Sequence, residues 1–134
     1  NSSPSSMVAS KCADAYGLFK GNDVQTADAV RAYIQSNLTG PPTWVEIPPE
    51  FQPDEWKAQE LKRPVVLLRK ALYGHPKAGH DWEGHCDKIV QSVGFKPVDS
   101  AAWPSVYWHN GYKLLLVIYV DDLKLAGPAE NING

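Results

Sequence analysis

Apolar residues along the chain repeat with different periods, and each period predicts a different element. From Met7 to Phe19 the residues Val8, Ala9, Cys12, Ala13, Tyr16 and Phe19 recur at three- and four-residue steps, as in an amphipathic helix, and Gly21-Asn22 ends the pattern. Asp23 to Ala29 reads as a short strand of weak β propensity, and Val30 to Leu38 as one or two helical turns stopped by Thr39-Gly40-Pro41-Pro42. Thr43 to Ile47 alternates and reads as a strand closed by Pro48-Pro49. Residues 50–64, rich in charge and proline, read as a surface loop with at most one helical turn, and Val65 to Leu68 as a buried strand. Residues 77–93 give the clearest helix, with Ala78, Trp82, Cys86, Ile89, Val90 and Val93 on one stripe and Gly94 as its stop.

The period then changes. Val106–His109, Asn110-Gly111 and Tyr112–Val120 read as a hairpin with a two-residue turn, and Asp121-Asp122 turns the chain again into Leu123–Ala126. These elements predict an α+β domain in which an antiparallel three-strand meander is packed by two or three helices. Residues 1–6, all Ser, Pro or Asn, read as a disordered tail; 7–128 form the folded domain and 129–134 a C-terminal tail.

Composition narrows the class only slightly. The chain has 134 residues, 43% of them hydrophobic, enough for one ordinary core. A net charge of −2 gives no global attraction to nucleic acid, so such a partner would need a local basic strip. Cys12 and Cys86 form no CxxC pattern and suggest reduced thiols in an intracellular protein. The longest apolar run, 114–120, is too short to span a bilayer, and no signal peptide is visible. The chain does not begin with Met and looks like a piece of something longer.

Asp121-Asp122 is the feature that asks for chemistry. Two adjacent carboxylates stand at a turn without glycine, directly after an apolar run, and their repulsion is costly unless a cation neutralises it. A divalent metal is the simplest neutraliser. An isolated acidic pair at a turn is otherwise a solvated loop, so the reading depends on its surroundings.

Those surroundings resemble one family. Tyr119-Val120-Asp121-Asp122 at a meander turn is similar to the YxDD signature of the reverse-transcriptase palm. Leu68-Arg69-Lys70-Ala71-Leu72-Tyr73-Gly74, followed by a helix bearing Ala78 and Trp82, resembles the KALYGLKQAPRAW segment of copia-type retrotransposon polymerases. Ser92-Val93-Gly94-Phe95 is similar to that family's SLGF. Asp28-Ala29-Val30-Arg31-Ala32-Tyr33-Ile34, followed by Trp44 to Phe51, resembles its DVKTAFL and VYMEQPPGF. The four motifs occur in the family's order and cover residues 8–128, so the chain resembles a partial copia-type palm domain with a palm-like sheet.

The resemblance implies an RNA-directed DNA polymerase working by two-metal nucleotidyl transfer on Mg2+ or Mn2+. Asp28 and Asp121 would bridge both metals, with Asp122 auxiliary. An alternative register, in which Asp23 of Asp23-Val24-Gln25-Thr26-Ala27 is the first carboxylate, would put Asp28 where the family has an aromatic residue; Asp28 is preferred and Asp23 is the fallback. Tyr33 would lie under the incoming sugar and reject a ribose 2′-hydroxyl. Lys77 and Tyr119 complete the implied nucleotide-binding set. The partners implied are an RNA or DNA template-primer, dNTPs, and the fingers, thumb and RNase H domains of the polyprotein.

The chain departs from the family over His75-Pro76-Lys77-Ala78-Gly79-His80-Asp81-Trp82. Lys77 replaces a glutamine and can touch phosphate, but it lacks the amide's paired donor and acceptor. Asp81 beside a template path would repel phosphate, and with His85 it has the spacing of a surface helix pair. His80 and His85 are about 140° apart on a helix and do not converge on a zinc. Trp44, Trp103, Tyr107 and Trp108 read as sheet packing rather than base-stacking platforms, and Cys86 as a small core residue.

Two functional readings follow from the sequence. One is a palm fragment, catalytic in its full-length parent and inactive alone for want of fingers and thumb. The other is a non-catalytic domesticated remnant or small structural subunit docked in a larger assembly.

Overall fold

The computed structural model describes residues 2–133; Asn1 and Gly134, the outermost residues of the two expected tails, lie outside the described residues. The chain is an α+β fold built on a five-stranded antiparallel sheet with a separate two-stranded sheet beside it. The large sheet contains β1 (Asn22–Asp28), β4 (Lys96–Asp99), β5 (Trp103–His109), β6 (Leu114–Tyr119) and β7 (Asp122–Pro128). Its order is β1-β7-β6-β5-β4, so the first strand closes against the last. The small sheet pairs β2 (Trp44–Glu46) with β3 (Val65–Leu67).

Two helices cover opposite faces of the large sheet, because side chains alternate along each strand. α1 (Met7–Gly17) packs Ala9 and Ala13 against Val106, Val117 and Ala126. α4 (Ala78–Ser92) packs Trp82, Cys86 and Val90 against Tyr107, Leu116 and Ile118. Short helices α2 (Ala32–Gln35), α3 (Asp54–Ala58) and α5 (Ala129–Ile132) complete the set, with one 3-10 turn at Pro49–Phe51.

The caps follow from local sequence. The Ser6 hydroxyl accepts from the Ala9 N–H at 3.2 Å and starts α1. Gly94, at φ 100°, ends α4: its N–H reaches the Gln91 carbonyl while the Phe95 N–H reaches that of Val90. That pair of bonds is a Schellman motif, which needs a residue tolerant of positive φ. Of the expected helix stripe, Ala78, Trp82, Cys86 and Val90 are buried, whereas Ile89 and Val93 are exposed.

Several expectations change. Residues 2–6 are tied to the domain rather than loose. Glu83 accepts from the Ser3 N–H, the Ser5 N–H donates to the Ile118 carbonyl, and Ser5 is buried. The C-terminal tail contains α5. The expected meander gains β1 and β4, and residues 50–64 contain two short helical turns rather than one. The β5–β6 turn spans four residues, since His109 pairs with Leu114. The His109 ring closes it by accepting the Tyr112 N–H at Nδ1, and Lys113 takes a φ of 55°. Val65 and Leu67 form a strand, but they are 51% and 41% exposed, so the small sheet is open to solvent on their side. Among the described residues no helix is long and apolar enough to cross a membrane.

Candidate active site

The antiparallel pairing of β1 with β7 decides where the carboxylates go. Register places Asp28, the last residue of β1, opposite Asp122, the first of β7. Tyr119 and Asp122 are the last paired residues of β6 and β7, so Val120 and Asp121 form the two-residue turn between them. Asp28, Asp121 and Asp122 each offer an oxygen within 4.8 Å of the others. Asp28 and Asp122 are exposed and Asp121 is half-buried.

This turn lacks the glycine or asparagine that hairpins favour. Val120 instead takes φ 55°, a left-handed conformation that a β-branched residue adopts at a cost of about 1–3 kcal/mol. Two bonds hold it there. The Trp82 indole Nε1 donates to the Val120 carbonyl at 2.6 Å, and the Ala29 N–H donates to the Asp121 carbonyl at 2.7 Å. Trp82 is 3% exposed, so the core helix fixes the tip of the hairpin.

Three carboxylates at this spacing repel one another. A hydrogen bond with Asp28 pushes the Asp122 carboxyl above its ordinary range, followed by the Asp28 charge, partial desolvation and the Asp121 charge. Asp122 therefore keeps its proton to higher pH than a lone aspartate would.

The remaining sequence candidates fall at different distances from the triad. Asp23 pairs with Gly127 at the far end of β1, about 17 Å away at ~3.3 Å per residue, and does not join the cluster. Tyr119 is exposed and lines a cleft of about 640 Å³ on the α1 side, together with Ser6, Ser10, Asp28, Asp122 and Lys124. Tyr33 lies toward the α4 side and packs on the core that contains Ala32 and Trp82. Lys77 immediately precedes α4; its N–H donates to His75 Nδ1 and its side chain lies against Gly40.

Asp81 faces Thr39 rather than His85. It is buried, and its carboxylate accepts from the Thr39 N–H at 2.9 Å and the Thr39 hydroxyl at 2.6 Å. Burial opposes its ionisation, but these bonds and the charges of Lys77 and His80 outweigh that, leaving its pKa lowered. His75 makes a second tie across the same gap, with Nε2 3.0 Å from the Thr43 hydroxyl. Tyr107 is buried in the core and Trp103 and Trp108 are half-buried, whereas Trp44 is 60% exposed.

The resemblance includes Tyr73 in a motif but assigns it no contact of its own with the carboxylates. Its hydroxyl lies 3.5 Å from Asp121 Oδ2 and its ring stacks on Tyr33. No family model matches the chain, and no solved structure matches it.

Proposed function

We propose that the protein is the palm of a copia-type reverse transcriptase and that Asp28, Asp121 and Asp122 are its nucleotidyl-transfer carboxylates. The observation that carries this reading is convergence. Asp28, chosen over Asp23 by resemblance alone, lies within ligand reach of a YxDD pair more than ninety residues away in sequence.

The donor set suits a hard divalent cation, since every ligand atom is a carboxylate oxygen and two of the three residues are exposed. Asp28 and Asp121 would hold Mg2+ or Mn2+, and Asp122 would assist. When bound, the metal pair activates a primer 3′-hydroxyl and neutralises charge on the departing pyrophosphate. The protein's own contribution is geometric. Trp82 and the β1–β7 register hold the carboxylates in place. The partners of this reading are a template-primer, dNTPs and the polyprotein's fingers, thumb and RNase H domains.

The test is equilibrium binding of a dNTP with and without Mn2+, to the native protein and to Asp121→Asn and Asp122→Asn. Metal-dependent binding lost in both variants supports the reading. Metal-independent binding, or none, overturns it. Co-purification with a large complex that is indifferent to both substitutions would favour the structural-subunit alternative.

A further inference from the structure

The two edges of the large sheet are finished differently. β4, at one edge, carries Lys96, Pro97 and a register shift between Pro97 and Asp99, features that discourage a further strand. β1, at the other edge, pairs with β7 without interruption and is exposed from Gln25 to Asp28. It contains no proline, lysine or bulge. The ladder fixes which of its backbone groups are free. The Ala29 N–H donates to the Asp121 carbonyl and the Ala129 N–H to the Gly21 carbonyl, both in phase with the β1–β7 register. Hydrogen-bonded pairs alternate along an antiparallel ladder, so Asp23, Gln25 and Ala27 turn their backbone groups to β7. Val24, Thr26 and Asp28 therefore turn theirs outward. The Val24 N–H agrees, since it donates to the neighbouring carboxylate, Asp23 Oδ1, at 2.8 Å.

We propose that this edge is a self-association surface, on which β1 of a second copy of the chain pairs antiparallel about a two-fold axis at Thr26. The outward groups are self-complementary in that register. Each Thr26 N–H meets the Thr26 carbonyl of the other copy, and each Asp28 N–H meets the other's Val24 carbonyl. Charge selects the same register. The two Asp28 residues stand four residues out of line, about 13 Å apart along the strands, and Asp23 falls on the opposite face from the other copy's Asp28. Moving the axis to Ala27 would halve that spacing. Moving it to Gln25 would centre the pairing on the Val24 N–H, which Asp23 already occupies. The covering helices leave room, because α1 is centred on β7, with β6 and β1 on either side. Two copies of α1 then stand three strand spacings apart, about 14 Å, which exceeds the about 8–10 Å at which helices touch. The pairing uses only the backbone of Asp28, whose carboxylate stays in the cleft on the α1 side. The two five-stranded sheets become one continuous sheet, whether or not the polymerase reading holds.

The experiment is sedimentation equilibrium of the native protein, Thr26→Pro and Thr26→Lys from micromolar to submillimolar concentration, with amide exchange of the native protein at both ends of that range. Proline at 26 removes an N–H that faces away from β7, and lysine places a charge on the edge, so either change acts on the added strand and spares the ladder within the sheet. The expected result is a native dimer that forms as concentration rises, weakened about tenfold or more in both variants. Exchange at the Thr26 and Asp28 amides should slow with concentration, while that at Gln25 and Ala27, already bonded to β7, should not. A native protein that stays monomeric throughout overturns the proposal. So does a dimer whose dissociation constant is unchanged in both variants, or one that leaves exchange at Thr26 independent of concentration. Should Thr26→Pro fail to fold, Thr26→Lys and the exchange of the native protein decide.

Discussion

The five-stranded sheet with its two covering helices and the segment from 37 to 70 are held by different means. In the first, α1 and α4 bury apolar side chains on opposite faces of the same strands. In the second, no residue is buried; β2 and β3 pair over three residues, and the segment is anchored at its ends by polar ties. The Leu38 N–H to Arg69 carbonyl bond closes the segment on itself, and the Thr39–Asp81 and Thr43–His75 pairs tie it to the residues that follow. The carboxylates belong to the rigid region, whereas Lys77 and Tyr73 lie just beyond the C-terminal end of the exposed one. A site that must hold its acidic groups fixed while admitting a ligand suits that division.

The comparison breaks most visibly if the two regions open with the same free energy. We expect amide exchange in 37–70 to proceed through local opening, at least a hundredfold faster than in β5, β6 and α4, whose protection should track global unfolding. Equal protection in both regions would show that the peripheral segment unfolds only with the core.

Trp82 gives the next largest effect, because it serves both the core and the hairpin tip. Tryptophan-to-alanine truncation at a 3%-exposed position should cost about 3–5 kcal/mol by chemical denaturation. Trp82→Phe keeps most of the packing but leaves the Val120 carbonyl without its donor, and should cost about 1–3 kcal/mol. If the indole bond holds the strained turn, Trp82→Phe should also weaken Mn2+-dependent nucleotide binding more than its stability loss explains. An unchanged affinity in a folded Trp82→Phe variant would separate the turn from the site.

How much of this was legible follows the same boundary. α1, α4 and the β6–β7 reversal are readable because a periodic apolar face faces one core, and Gly94 marks a helix end that requires positive φ. β4 escaped notice because Lys96-Pro97-Val98-Asp99 is exposed throughout and carries no alternating face. β3 looked buried because a continuous apolar run says nothing of whether another layer covers it. Asn110-Gly111 suggested a two-residue turn, but the His109–Leu114 pairing and the His109 ring lengthen it. At the site, Asp121-Asp122 is visible from local sequence. Asp28 could be chosen over Asp23 only by resemblance, since both end or begin one plausible strand. Tyr73 stands in a recognisable motif, but its approach to Asp121 and its stacking on Tyr33, forty residues earlier in the chain, leave no local signal.

Asp81 ties the two regions together, so its removal should have an intermediate effect. Asp81→Ala gives up two charge-assisted bonds to Thr39, and water replaces part of them because Thr39 is exposed; about 1–2 kcal/mol is expected. The sign with pH is defined by the lowered pKa in the folded state. The contribution is complete above the unfolded value of about 3.9 and is lost as pH falls through the lower folded value. The stability gap between native protein and Asp81→Ala should therefore be flat near neutrality and close in acid. A gap that widened below pH 4 would mean the carboxyl is stabilised in its protonated form instead.

The smallest effect belongs to the small sheet. Leu67 pairs directly with Trp44 across β2 and β3, and both are substantially exposed, at 41% and 60%. A cross-strand pair of this kind is worth about 0.2–1 kcal/mol, and truncation leaves no closed cavity because water reaches the site. Leu67→Ala should therefore shift global stability by no more than about 1 kcal/mol, several times less than truncating Trp82. It should nevertheless raise amide exchange at Val45 and Val66, whose pairing the side chains support. A global loss as large as that of a core truncation would show that Leu67 is shielded in solution, and the contrast between the two regions would have to be abandoned.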